Sequence, residues 1–328
     1  MPTDPNPSAL IRTTFGRTTT ASDVLAGVDL RGRRFVVTGG GSGLGAASVR
    51  ALAAAGAAVT IATRSPELVD PALLTGTVDA RPVDLADLAS VSAFCAGWDG
   101  PVDGLIANAG VMALPELKLT SSGWEQQLAT NYLGHFALAL GLHDPLQEAS
   151  GRIVVVSSGA QLRSPVDFRD LHFAHRPYDP WVAYAQSKTA DVLLAVGLAR
   201  RWAEDGITAN AVAPGWILTG LQRHVDPEAL EAMGVYEEEG RTVTPDFFSS
   251  PEQGASDQVM LAASPLLQGV TGRYFEDGQE SPVVDGGPDV AAGVARWSVD
   301  PAAADRLWEL GLAAMPERSR HGGAPDPS

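Results

Sequence analysis

The chain has 328 residues, 45% of them hydrophobic, and a formal net charge of −16. That length and apolar content suit one large α/β domain, while the acidic balance argues against nucleic acid and anionic membranes as partners, since both call for clustered Lys and Arg. A single cysteine, Cys95, allows no intrachain disulfide and no thiolate metal cluster, and the N-terminus lacks the apolar run of a signal peptide, so the expected setting is the reducing cytoplasm.

In chain order, residues 1–22 are rich in Pro and Thr without periodicity and read as an N-terminal arm or disordered lead-in. The segment 34–38 (RFVVT) reads as a strand, followed by a glycine turn and a helix over 46–55. Further strands are expected at 58–63, 80–83, 104–107, 152–157 and 208–213, with helical patterns at 121–142 and 184–204. Asp300-Pro301 opens a capped C-terminal helix anchored by Trp308, and 317–328 reads as a disordered tail. No run of about 18 apolar residues marks a membrane span. Strands apolar on both faces, alternating with helices, predict a single-domain Rossmann-type, doubly wound parallel sheet with helices on both faces, over 23–316.

The turn after the first strand is Thr38-Gly39-Gly40-Gly41-Ser42-Gly43-Leu44-Gly45. A strand–glycine turn–helix lets backbone N–H groups and the positive end of the helix meet a diphosphate. At the end of the second strand, Ala62-Thr63-Arg64 carries no acid to hold a ribose 2′-hydroxyl, and Arg64 offers charge-assisted hydrogen bonds to a 2′-phosphate instead. NADP(H) is therefore expected over NAD.

Tyr184 and Lys188 are four apart on an expected helix and share a face. A free phenol ionises near pH 10, and a neighbouring ammonium favours the phenolate, so such a pair moves protons nearer neutrality. The motif is common by chance, and its companions give it weight. Ser157 and Ser158 close the fifth strand, where ligands of doubly wound sheets sit. Asn131, within Thr130-Asn131-Tyr132-Leu133-Gly134-His135-Phe136, either satisfies backbone groups or positions water. Asn108 of Asn108-Ala109-Gly110 either lines the cofactor cleft or caps a turn.

Together these motifs resemble the short-chain dehydrogenase/reductase family over roughly 20–312. Thr38-Gly39-x-x-x-Gly43-x-Gly45, Asn108-Ala109-Gly110 and Pro214-Gly215 match its cofactor motifs; Asn131, Ser158, Tyr184 and Lys188 match its tetrad, with Ser157 as the fallback serine. The lead-in Ser22-Asp23-Val24-Leu25-Ala26-Gly27-Val28-Asp29-Leu30, the stretches TNYLGHF and AYAQSK, and GRYFEDGQ at 272–279 resemble the retinol dehydrogenase-like and WW-domain oxidoreductase-like members. No hydrophobic anchor and no WW domain accompany them, so neither name supplies a substrate.

The resemblance implies hydride transfer between a nicotinamide and an alcohol or carbonyl carbon. Tyr184 would exchange the proton, Ser158 hold the substrate oxygen, Lys188 assist the phenol and hold the ribose, and Asn131 keep a water. The cofactor cleft would include Gly39, Gly41, Ser42, Gly43, Leu44, Gly45, Arg64, Asp84, Leu85, Asn108, Ala109, Gly110, Tyr184, Lys188, Pro214, Gly215, Ile217 and Thr219. The family also implies homodimers or homotetramers.

Aromatics in an insertion at 160–182 and a loop at 216–250 predict an apolar pocket for a bulky, lipophilic ketone, aldehyde or alcohol, with Phe173, Trp181 and Trp216 as candidate contacts. His172 and His175 lack further ligands, so no metal is expected. Two other functions fit parts of the pattern: an idle NADP(H)-binding regulator, opposed by the intact tetrad, and an epimerase or dehydratase, opposed by the glycine spacing and the lack of a large C-terminal domain.

Overall fold

The computed structural model describes residues 9–238 and 241–315; the expected tail at 317–328 lies outside them. Ten of the twelve strands among the described residues are β1 (Arg34–Thr38), β2 (Ala58–Thr63), β3 (Val78–Pro82), β4 (Gly104–Ala107), β5 (Arg152–Val156), β6 (Thr208–Ala213), β7 (Tyr236–Glu238), β8 (Arg241–Val243), β9 (Tyr274–Glu276) and β10 (Gln279–Glu280). Eight of them form one sheet in the order β10-β9-β6-β5-β4-β1-β2-β3, parallel except for β10, which pairs antiparallel with β9. β7 and β8 form a separate hairpin.

The alternation of side chains along a strand separates two cores. Phe35 and Val37 face one side of β1 and Val36 the other; Ile106 and Leu105 divide likewise on β4, as do Val154 and Val155 on β5. One face is covered by the helices Gly43–Ala54 and Ser256–Ala263, through Val49, Leu52, Val259 and Met260. The other is covered by the helices Gly134–Gly141, Pro180–Trp202 and Pro301–Ala314, through Phe136, Leu193, Leu307 and Trp308. Two wet faces are thus absent from the central strands, which is why they read as unbroken apolar runs. The chain moves outward from β1 through β2 and β3, then returns to β4 on the other flank of β1. That reversal opens a crevice at the carboxyl ends of β1 and β4.

Three segments differ from the sequence expectation. The pattern at 121–142 is not one helix: a short turn, Gln126–Leu128, runs into a π-helical turn, Ala129–Leu133, before the α-helix Gly134–Gly141. Polar Asn131 sits in that wider turn, and such bulges often mark functional positions. The helix expected from Tyr184 begins at Pro180, because Asp179 caps it through the Trp181 and Val182 N–H groups. The edge strands β9 and β10, too short for a periodic signal, are missing from the sequence reading.

Over its described residues, the N-terminal arm is part of the body rather than a loose lead-in. It lies on β10: the Glu280 N–H donates to the Ile11 carbonyl at 3.1 Å, and Gln279 Nε2 donates to the Phe15 carbonyl at 2.6 Å. An edge strand presents unpaired backbone groups, and the arm covers them here. It then enters the short helix Ala21–Val24 through a capping box between Thr20 and Asp23.

The C-terminal helix is capped by Asp300, as its Asp-Pro start predicts. Trp308 meets Phe136 edge-on at 4.9 Å and Trp202 at 6.1 Å, under the Arg201 guanidinium at 4.4 Å. Removing this ring opens a void against three helices. Trp308→Ala is expected to lower unfolding stability by about 3–5 kcal/mol, read by chemical denaturation.

Candidate active site

The crevice is organised by Thr38, the last residue of β1, whose side chain is fully buried. Its Oγ1 accepts from the Asn108 and Ala109 N–H groups, both at 2.9 Å, and stands 2.9 Å from His135 Nε2. A hydroxyl has one hydrogen to give. His135 Nδ1 lies 2.7 Å from the Asn131 carbonyl, which only accepts, so Nδ1 carries the proton and Nε2 receives the Thr38 hydrogen. Burial depresses the His135 pKa to about 4, in keeping with a neutral ring. Asn108 Nδ2 adds a bond to the Thr38 carbonyl at 2.8 Å and accepts at Oδ1 from Gln258.

Two glycines of the turn are fixed by this packing. Gly39 has a φ of 65°, in the left-handed region, and a side chain there would press on Ala109 at 3.1 Å. A Cβ on Gly45 would collide with the Gly39 carbonyl and approach Asn108 Nδ2 to 2.7 Å. The helix Gly43–Ala54 starts at this loop, with Ser42 as its N-cap. Ser42 makes no side-chain capping bond, so the first N–H groups of the helix are left for another acceptor. The Thr219 methyl lies 3.2 Å from the position of a Cβ on Gly43, which brings the segment after Pro214-Gly215 to the turn; Ile217 beside it is buried. Gly41 and Leu44 are half-buried in the same turn, and Asp84 and Leu85 follow β3. Arg64, at the end of β2, is exposed and has no hydrogen bond or ion pair among the described residues.

On the other side of the crevice, Asn131 is fully engaged. Its Oδ1 accepts from the Val111 N–H at 2.9 Å, and Nδ2 donates to the Val111 carbonyl at 3.0 Å and to Ser187 Oγ at 2.8 Å. It thus satisfies the backbone groups of Val111, one of its two expected roles. Ser187 Oγ in turn donates to the Tyr184 carbonyl at 2.7 Å. A run of buried hydrogen bonds therefore joins the glycine turn to the helix carrying Tyr184.

The two serines are sorted by their partners. Ser157 is buried and spends its hydroxyl hydrogen on the Lys188 carbonyl at 2.7 Å. Ser158 is half-exposed and only accepts, from the Ala160 N–H at 3.2 Å, so its hydrogen stays available. Tyr184 packs with Met112, Ala113 and Val225, and its hydroxyl has no hydrogen-bond partner among the described residues. The Lys188 ammonium lies 5.8 Å from the Tyr184 ring centroid and donates to the Val156 carbonyl at 2.9 Å and to Asp191 Oδ2 at 2.8 Å.

The candidate substrate residues separate. Trp181 is partly exposed one turn before Tyr184, with ring centroids 6.4 Å apart. Trp216 is exposed and clusters with Phe247 and Phe248, both centroids at 6.0 Å. Phe173 is buried inside the insertion, against Tyr178 at 5.2 Å and beneath Arg176 at 4.1 Å, and it holds the insertion together. His172 Nδ1 accepts from the Glu125 N–H, and among the described residues no group of three or more His, Cys, Asp or Glu could hold a metal. Cys95 packs against the helix Gly134–Gly141, and burial raises its thiol pKa to about 12. No helix among the described residues is long and apolar enough to cross a membrane.

His135, Ser187 and Gln258 belong to this network but escape the motif reading. For His135 a signal existed: it lies one helical turn after Asn131 in an otherwise apolar stretch.

The chain is similar to known proteins over most of its length. The short chain dehydrogenase family model matches residues 33–229. A Streptomyces lividans protein named "Probable oxidoreductase" is 62% identical over 295 residues, covering 88% of this chain and 99% of that one. Mouse retinol dehydrogenase 14 is 33% identical, covering 82% of this chain and 85% of its own. Among solved structures, a Mycobacterium paratuberculosis protein superposes with a TM-score of 0.68 at 32% identity, covering 90% of this chain and 97% of that one. The Pseudomonas aeruginosa RhlG/NADP active-site complex gives 0.59 at 27% identity, covering 76% of this chain and 96% of that one.

The buried neutral ring has a consequence for stability. Unfolded, His135 regains an ordinary pKa near 6.5, against about 4 folded, so the unfolded state binds more protons between those values. Its contribution to stability is present above that window and is lost as pH falls through it, by up to about 1.4 kcal/mol per pH unit. Denaturation of wild type and His135→Gln from pH 7 to pH 4 is expected to show a steeper loss in wild type.

Proposed function

The chain belongs to the short-chain dehydrogenase/reductase family of oxidoreductases, and from that premise we propose that it uses NADP(H) to interconvert an alcohol and a ketone or aldehyde on a bulky, lipophilic small molecule, with Tyr184 as general acid/base. The observation that carries this reading is the free Tyr184 hydroxyl, held on a helix beside a buried ammonium, in a crevice where the Asn131 amide and the Ser157 and Ser187 hydroxyls are already committed. A proton donor or acceptor works best when geometry is fixed before substrate arrives.

The residues present fit a phosphorylated dinucleotide. The glycine turn has no room for side chains where backbone N–H groups must approach a diphosphate, and the uncapped helix start adds its positive end. Arg64 is a free cation at the position where an NAD site needs an acid, and the RhlG structure contains NADP. When bound, the nicotinamide supplies or accepts the hydride.

This chain's residues do the rest. Tyr184 passes its hydroxyl proton to a developing alkoxide, or receives one from an alcohol. Ser158 donates its spare hydrogen to the same oxygen, stabilising charge as it forms. Lys188 places positive charge near the phenol ring, and Asn131 holds the backbone at Val111. Trp181 and Trp216 offer apolar surface for a bulky substrate, which favours a lipophilic carbonyl.

Tyr184→Phe is expected to abolish turnover of hydrophobic ketones and aldehydes while NADPH still binds by fluorescence titration; full activity would refute the assignment. Arg64→Ala is expected to weaken NADPH binding at least about tenfold, the loss of a charge-assisted phosphate contact, with little change for NADH. Equal loss for both cofactors would remove Arg64 from the 2′-phosphate site.

A further inference from the structure

Three residues beyond Lys188, the same helix carries a carboxylate that the proposed chemistry does not use. Asp191 is 1% exposed, and its Oδ2 lies 2.8 Å from the Lys188 ammonium, itself buried. The other carboxylate oxygen, Oδ1, is buried with no hydrogen-bond partner. A carboxylate with one oxygen left unsatisfied is costly to bury. What it gains in return is the contact with the ammonium next to Tyr184.

We propose that Asp191 is a positioning residue that anchors the Lys188 ammonium against the end of β5 and sets the pH at which the Tyr184–Lys188 pair gives up its first proton. This rests on the reading of Tyr184 as general acid/base.

The geometry gives the direction. The ammonium is held at two points, the Val156 carbonyl and Asp191 Oδ2, so it cannot swing freely along the crevice. Its positive charge stabilises a phenolate, and the negative charge 2.8 Å from it cancels part of that field in a buried, low-dielectric setting. Two interacting groups titrate as a pair, and a negative charge close to both raises the pH at which the pair first loses a proton. Burial works against the Lys188 ammonium, but the Asp191 carboxylate and the Tyr184 phenol together outweigh it and the pKa of Lys188 rises. Burial pushes the Asp191 carboxyl up to about 7 despite the ammonium.

Other titratable and charged groups face this pair from neighbouring elements. From the π-turn segment and the helix that follows it, His135 is held neutral by burial, and burial raises the Tyr132 phenol, which donates to the Leu307 carbonyl; Arg201 and Asp191 act on that phenol from the Pro180–Trp202 helix. From β9, the buried Tyr274 phenol is raised well above its ordinary value, with Glu276 beside it. Asn131 and Ser187, between the two helices, carry no charge.

The test is the isosteric Asp191→Asn, with Asp191→Ser as a second neutral variant in case the first does not fold. The pH–rate profile with NADPH is expected to move to lower pH by about one unit. Asp191→Glu, which restores the charge, is expected to bring it back toward wild type. Ultraviolet difference titration of the phenolate without substrate, with Tyr184→Phe as the blank, is expected to show the same acid shift. That readout survives even if no turnover is found, so failure of the proposed reaction and failure of this inference are separable. Neutral variants that lose thermal stability but keep the wild-type phenolate titration would overturn it, as would a shift to higher pH.

Discussion

One oxygen atom ties the crevice together. Thr38 Oγ1 receives the Asn108 and Ala109 N–H groups from the end of β4 and gives its hydrogen to His135, so β1, β4 and the helix crossing beneath them meet at one buried point. All three of its hydrogen-bonding capacities are used, and no water is needed to satisfy it. Because the groups lie in a low-dielectric interior, replacing any partner leaves the others unpaired at high cost. The spacing of the glycine turn from Asn108 follows from that point, since Gly39 and Gly45 pack directly on the Asn108-Ala109 backbone and side chain.

From there the order passes outward in hydrogen bonds. His135 meets the Asn131 carbonyl; Asn131 clamps Val111 and reaches Ser187; Ser187 closes on the Tyr184 carbonyl. Asn131 sits in the π turn at Ala129–Leu133, and His135 follows it one helical turn later on the same path. The result divides the polar groups into two sets. Thr38, Asn131, Ser157 and Ser187 are consumed by the protein itself, whereas Ser158, Tyr184, Ser42 and Arg64 retain groups for a ligand. The second set keeps polar groups that the protein itself does not consume.

The fold was legible because both faces of β1, β4 and β5 are buried, which makes each a short apolar run between helices. The glycine turn and the Tyr184/Lys188 spacing were legible because local geometry dictates them. Other features depend on contacts distant in sequence. Nothing near residue 258 announces a bond to Asn108, and Phe173 looks like a ligand-facing aromatic until Tyr178 and Arg176 are seen to enclose it. The break at 129–133 is hidden because its residues keep an apolar helical pattern. Which of Ser157 and Ser158 keeps a hydroxyl hydrogen likewise depends on a distant contact, Ser157 with the Lys188 carbonyl.

On the proposal above, this crevice moves a hydride between a nicotinamide and a carbonyl carbon, with the chain's own hydroxyls handling the proton. The direct measurement is incubation with NADPH deuterated at the transferable nicotinamide position and a panel of bulky apolar ketones and aldehydes, followed by mass spectrometry of the alcohols. One deuterium is expected on the carbon bearing the new hydroxyl, in a single stereochemical sense. Tight NADPH binding with no labelled alcohol from any member of the panel would contradict it.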